Sequence, residues 1–522
     1  MGRWGAVLCT AALVLLGACG GDDESAAGMP GAVGYMPRDS VVLTLPTDLE
    51  AEQLRRLPEL IAPELRHSGV GTDLREELRR VFDDEEAGIS YEDDVEPLLG
   101  GDLLLASSPD VQLAALETTD GERLGDLMER LGFTPADTYR DAAMYDAGEG
   151  GALAIDGDTV VATLGEDARQ WVEQAIDRQR DGGGHDPEAL AAALPSVGGE
   201  PLLRAAGDAQ ALIEVAAIGD AASLPWLRAA RGVGAAARLE DGALVAAARV
   251  TTDAEGLTDE DLPLAPGAES PPAGSVDGAI AAANRDQSQT TVWLARFARA
   301  AFPRSRFVQA VEDVEADLGI AFEDEVLAQF NGPSASVATP SGAFAAVSDV
   351  ADPARMRALL PRLAPRLPPV LRGLDTLGNR GLLTLLLFAP DAPLTPGVLG
   401  ALQDGIGVRR LEAGAGEQLY RISGLEESGA GFPGPGAVVF GMIGDRFVVA
   451  TDEQRARAVA AMEVSPVPGA EGTGVARADL STWSEEALAS VLGVRTVPLG
   501  EVVGELEASV ERVEARLRVA IP

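Results

Sequence analysis

Residues Ser40–Leu45 read as a strand, entered by a turn at Pro37-Arg38-Asp39. The apolar spacing then becomes helical. Thr47 with Glu50 forms a capping box ahead of Leu54, Leu57 and Ile61. Leu74, Leu78, Val81 and Phe82 mark a second helix, which Gly88 is placed to end. Ser90 and Asp93 can cap a short helix running to Leu98. Strand patterns return at Asp102–Ser107 and Val111–Thr118, a helix follows at Arg123–Leu131, and a strand pair ends at Asp158–Thr163. Beyond it stand a helix at Ala168–Ile176 and the cap Asp186, with Pro187 at the first helical position. Arg238–Val245 reads as a hairpin turning on Asp241-Gly242. Strands paired through turns, with helices between them, predict antiparallel α+β layers.

The pattern then starts again. Gly88-Ile89-Ser90-Tyr91-Glu92-Asp93-Asp94-Val95 is echoed by Gly319-Ile320-Ala321-Phe322-Glu323-Asp324-Glu325-Val326, with five of eight residues identical. Leu113–Leu116 is echoed by Phe344–Val347 at the same separation, 231 residues (Gly88 to Gly319, Leu113 to Phe344). Ala279–Ala283 repeats the opening strand, Trp293–Phe302 the first helix, Ser334–Thr339 and Phe344–Val350 the next strands, and Arg355–Leu363 the helix after them. Gly444–Val449 matches Gly157–Val161 at a larger separation, 287 residues (Gly157 to Gly444), which places extra chain within about 364–441. That insertion includes the apolar run Leu382–Phe388, too short to span a bilayer and read as a buried strand, with an apolar flap or groove wall as the alternative. Leu517, Val519 and Ile521 alternate as a final strand should. We expect two homologous halves, each a mainly antiparallel sheet with helices packed on it. The first covers 33–262, with a linker from about 253. The second covers 263–522.

At 522 residues the chain is longer than one core supports, since single cores stop growing near about 250–300 residues. All 41 basic residues are arginine. The absence of lysine excludes a phosphate loop ending in Lys-Ser/Thr and a Schiff base. A formal charge of −42 sets the chain against nucleic acid, whose phosphates would repel it.

Residues 1–18 have the form of an export signal: Arg3, an apolar run from about Ala6 to Leu16, then Leu16-Gly17-Ala18-Cys19. The last four resemble the bacterial lipoprotein signal, the lipobox. That resemblance implies cleavage before Cys19, acylation of its thiol, and a protein held on the outer side of the cytoplasmic membrane by lipid. Cys9 would be lost with the signal, leaving no internal disulfide. Residues 19–32 then form a flexible acidic tether.

The strand after Pro37-Arg38-Asp39, the Gly-Ile-x-Tyr/Phe-Glu-Asp-x-Val stretch in both halves, and the Gly157-Asp158-Thr159-Val160-Val161 strand before a helix resemble the secreted bacterial domain-of-unknown-function 3352 family. The resemblance implies an envelope location and α+β architecture and hands over no active-site residues. Members often carry a membrane-spanning N-terminus, where this chain has a lipobox.

No reaction can be assigned from the residues. His67, near a helix end, and His185, in a glycine loop, read as exposed. Gly232-Val233-Gly234-Ala235-Ala236-Ala237 resembles a dinucleotide fingerprint, but it follows a helix (Leu224–Arg231) where that motif needs a strand. The acid clusters Asp83–Glu86, Glu92–Asp94 and Glu323–Glu325 lack the spacing of a calcium loop and read as solvated helix starts. Hence no catalytic, cofactor or metal residue is assigned, and Cys19 is the one site named, for lipid attachment. The expected function is a non-enzymatic envelope lipoprotein whose halves bind an apolar ligand or an envelope protein between them. The alternatives are a hydrolase working with carboxylates alone, or a structural spacer without ligand.

Overall fold

A computed structural model describes residues 28–47, most of 76–373 and most of 406–521. The shorter breaks fall at 77–78, 81, 84–87, 100, 109–110, 147–149, 166, 217, 241, 268–271, 274–279, 340–342, 413, 425–436, 463–464, 467–471 and 483–499. The expected helix through Leu54, the positions Leu74, Leu78 and Val81 of the next one, most of the insertion including Leu382–Phe388, and His67, Cys9 and Cys19 lie outside the described residues; of that second helix, residues 76, 79, 80 and 82 are described and helical.

The chain divides into two compact units. The first takes residues up to Ala216 together with Ala230–Thr251, and the second takes Ala217–Ala229 with Thr252–Ala520. Residues 217–229, counted by sequence in the first half, thus belong to the second unit, where Trp226 packs edge-on against Trp293 with ring centroids 5.9 Å apart.

In the first unit the strands are β1 (Val41–Pro46), β2 (Asp102–Ser107), β3 (Gln112–Glu117), β4 (Thr134–Tyr139), β5 (Ala142–Asp146), β6 (Gly151–Asp156), β7 (Thr159–Leu164), β8 (Leu203–Asp208), β9 (Ala230–Glu240) and β10 (Ala243–Thr252). They lie in the order β4-β5-β6-β7-β3-β2-β1-β8-β9-β10, antiparallel from β4 through to β9. Alternation sends Val42, Leu104, Leu113 and Val161 to one face. There they meet helix α2 (Ala168–Asp181), whose Ala168, Val172, Ala175 and Ile176 form a stripe at helical spacing. Helix α1 (Gly121–Arg130), capped by Asp120, packs Leu124 and Leu127 with Leu153 and Ile155 of β6 and with Ile89, Tyr91 and Val95 of the repeated stretch. Helices α3 (Pro187–Ala193) and α4 (Ala209–Ala216) complete the unit.

The second unit has β11 (Ile280–Asn284), β12 (Ser334–Ala338), β13 (Phe344–Asp349), β14 (Gly407–Arg410), β15 (Glu417–Ser423), β16 (Ala437–Ile443), β17 (Arg446–Ala450), β18 (Gly474–Asp479), β19 (Glu501–Ala508) and β20 (Arg512–Ala520). Their order is β14-β15-β16-β17-β13-β12-β11-β18-β19-β20, antiparallel throughout. This is the order of the first unit, strand for strand. Helices α5 (Gln287–Ala301) and α6 (Arg306–Leu318) follow β11, α7 (Pro353–Leu363) follows β13, and α8 (Glu453–Ala460) follows β17. The architecture is mixed α+β, as expected.

Within the linker after Asp253, Leu262 and Leu264 are buried, and the Gln289 amide donates to both their carbonyls (3.1 and 3.3 Å). One local expectation is corrected. The Leu224–Arg231 helix stops at Ala229, and Gly232–Ala237 lies inside β9. There Gly234 passes so close to Ala193 that a Cβ would sit 2.3 Å from its carbonyl oxygen, so glycine serves packing and not phosphate binding.

Candidate functional site

The acid clusters are where a carboxylate mechanism would have to reside. In the first unit the Asp94 carboxylate accepts the backbone N–H of Ser90 (2.9 Å) and two N–H groups of Arg130, on α1 (2.8 and 3.0 Å). The same arginine donates to the Gly88 carbonyl (2.7 Å), and these bonds hold the Asp94 pKa down at about 2. The second unit repeats the device. Glu325 accepts from Ala321 N–H (3.1 Å) and from Arg355 on α7 (2.5 Å), while Arg362 donates to the Leu318 carbonyl (2.6 Å). An acid ahead of each stretch caps it: Asp83 accepts from Tyr91 N–H (2.7 Å) and Glu315 from Phe322 N–H (2.8 Å). Arg79 pairs with Glu92, and Arg299 with Glu323. A general acid at neutral pH needs a raised pKa. Asp94 and Glu325 are pushed the other way, by their arginines first. They are latches that tie each repeated stretch to a neighbouring helix. Glu117 is pushed up by burial, but its carboxylate is spent on the backbone N–H of Ala32 (3.2 Å).

His185 corrects the sequence reading: it is buried, not exposed. Its Nε2 lies 3.2 Å from the Ser40 carbonyl and 3.4 Å from Ser40 Oγ, and Ser40 Oγ donates to the Pro37 carbonyl (2.5 Å). Burial pushes the imidazole pKa down. Ser40 is itself fully buried, so the pair is a tie between the start of β1 and the loop after α2 rather than a nucleophile with its base. The glycines cause the burial. Gly182 ends α2 in the left-handed region (φ 72°), and at Gly184 a Cβ would stand 1.8 Å from the Gly34 carbonyl oxygen. The loop therefore runs directly on the buried turn Gly31–Tyr35, carrying His185 inside.

Beside this tie the first unit has a cleft of about 420 Å³. One wall is Pro37-Arg38-Asp39, another carries Trp171 and Arg178 from α2, a third Ala211 and Glu214 from α4, and Ser108 and Val111 come from the turn between β2 and β3. Arg38 is held by carbonyls, its Nε donating to Gly184 (2.9 Å) and an Nη to Gly182 (3.4 Å). Arg178 Nη1 donates to the Tyr35 carbonyl (3.1 Å), and burial pushes its pKa down despite Asp39 and Asp177 nearby. Sequence reading missed both α2 residues. Trp171, Ala175 and Arg178 recur at helical spacing, on the edge of the stripe that the pattern did reveal.

Among the described residues no group of three or more His, Cys, Asp or Glu could hold a metal ion, and no helix is long and apolar enough to cross a membrane. No family model matches the chain, and no curated protein matches it either. The chain is similar to solved structures of TP0453. Crystal form IV shares 11% identity over 43% of this chain and 81% of that one, with a TM-score of 0.25. Form III shares 10% over 45% and 84%, with a TM-score of 0.24.

Proposed function

We propose that this is a bacterial envelope lipoprotein, anchored through acylated Cys19, that works by binding a ligand or an envelope protein rather than by catalysis. Leu16-Gly17-Ala18-Cys19 behind a short apolar run is the observation that carries it. Two acyl chains anchor stably where one is marginal. The body behind the tether consists of two homologous halves. Supporting the homology are the shared strand order and the latch bonds at Asp94 and Glu325, made by equivalent positions of the echoed stretch. The resemblance of the echoed motifs to the domain-of-unknown-function 3352 family favours the same location. Acids held low by arginine favour a binding role over a carboxylate hydrolase.

Fractionation of Cys19→Ala tests the anchor. The variant should leave the membrane or accumulate with residues 1–18 still attached. A mature variant that still needs detergent for release would refute the lipid anchor. For binding, the wild-type protein from its own host's envelope should lose mass between native and denaturing mass spectra.

A further inference from the structure

Around the first unit's cleft stand two cations, Arg38 and Arg178, and two anions, Asp39 and Glu214. None of the four makes an ion pair with a described residue, although arginine–carboxylate pairs are common elsewhere in the chain. Both arginines are instead aimed by backbone carbonyls, which fix the guanidinium and leave other N–H groups to donate. Arg178 is half-buried and desolvated, and although Asp39 and Asp177 act on its charge, no described carboxylate reaches ion-pair distance, so a bound carboxylate would complete the pairing. Trp171 and Val111 add an apolar wall. The volume falls within the range of small-molecule sites, about 300–1,000 Å³.

The second unit gives Arg178 no counterpart on α8. That helix has 8 residues against 14 in α2, whose last turns carry Arg178. Net charge narrows the ligand further. A chain of −42 repels a bare anion on approach but not a molecule of zero net charge.

We infer that this cleft binds a short zwitterionic peptide, its carboxylate on Arg178 and Arg38, its ammonium on Glu214 and Asp39, and an apolar side chain against Trp171. The inference rests on the binding role proposed above and supplies its ligand class. It stands apart from the lipid anchor, which Cys19→Ala tests separately.

Calorimetric titration of the full-length protein in detergent with three probes provides the test. Leucyl-leucine carries both charges, N-acetyl-leucyl-leucine only the carboxylate, and leucyl-leucinamide only the ammonium. Leucyl-leucine should bind best and leucyl-leucinamide at least tenfold more weakly. Arg178→Gln should weaken leucyl-leucine and N-acetyl-leucyl-leucine tenfold or more. The exposed Glu214→Gln should weaken leucyl-leucine alone, which guards against a folding defect at Arg178. No heat from leucyl-leucine at roughly 10 mM, equal binding of all three probes, or binding indifferent to both substitutions would overturn the inference. An anchored, Cys19-dependent protein that ignores all three probes would refute the peptide while leaving the anchor standing.

Discussion

Three consecutive glycines, Gly182-Gly183-Gly184, should respond to alanine in three different ways. Gly182 has φ 72° and open space around its missing Cβ, so alanine meets only the left-handed backbone penalty, about 1–2 kcal/mol. Gly183 has no positive φ, and its nearest neighbours, Arg178 Cα and Cγ, are at 3.7 Å, an ordinary contact. Alanine there reduces unfolded-chain entropy and should stabilise by about 0.4–1 kcal/mol. At Gly184 the added carbon falls 1.8 Å from the Gly34 carbonyl oxygen and 2.6 Å from its carbon, both backbone atoms. Neither side yields readily. Gly34 lies in a turn whose Ala32, Val33 and Tyr35 are buried, and the Gly184 carbonyl holds Arg38. Overpacking typically costs about 1–3 kcal/mol, and two pinned backbones place this case near the upper end. In urea, with a slope of roughly 2 kcal/mol per molar, Gly184→Ala should lower the midpoint by about 1.5 M and Gly183→Ala should raise it slightly. Tryptophan fluorescence of the full-length chain reports both. A Gly184→Ala midpoint equal to or above that of Gly183→Ala would refute the close approach of the loop to Gly34, and with it the cause given for His185 burial.

Two further predictions concern pH. Burial holds the folded pKa of His185 below its ordinary 6.5, so on acidification the unfolded chain takes the proton first; stability is full above about 6.5 and falls as pH drops from there toward the folded value. His185→Gln should flatten the slope of the urea midpoint between about pH 8 and 5, and an unchanged slope would count against the buried neutral ring. Asp94, at about 2 in the fold against 3.8 unfolded, contributes stability that is present above 3.8 and lost as pH falls through about 2. Because the Arg130 pair is partly exposed, Asp94→Asn should cost only about 0.5–1 kcal/mol at neutral pH, with the difference from wild type vanishing near pH 2; a constant difference across that window would contradict the latch.

What the sequence made legible was set by how local each signal is. Strand and helix periodicity located β1–β3, α1, β7, β12, β13 and α7 within a few residues, because alternation and helical spacing need only neighbours along the chain. The Asp186-Pro187 cap is bonded as read, with Asp186 accepting from Glu188 N–H (3.0 Å). Contacts distant in sequence were not legible. Ser40 and His185 stand 145 positions apart, and nothing near His185 announces the partner. The glycines beside it looked like surface loop, yet they are what lets the loop lie against Gly34. The cleft was hidden for the same reason, since its charged groups come from the turn before β1, from α2 and from α4.

Shared strand order makes differences between the units as informative as likenesses. A feature present in both must serve what both need, a stable sheet with its turn secured. The latches at Asp94 and Glu325 meet that description, and they use charge chemistry without any substrate. A feature present in one unit alone is free of that duty. Arg178 is such a feature, carried on helical turns that α8 lacks. Burial penalises its charge, and Asp39 and Asp177 offset that only from beyond ion-pair distance. Structural economy accounts for the repeated acids. It also accounts for the bond that Arg178 gives the Tyr35 carbonyl, while the donors left over at the cleft are those that the carboxylate of the proposed peptide would use.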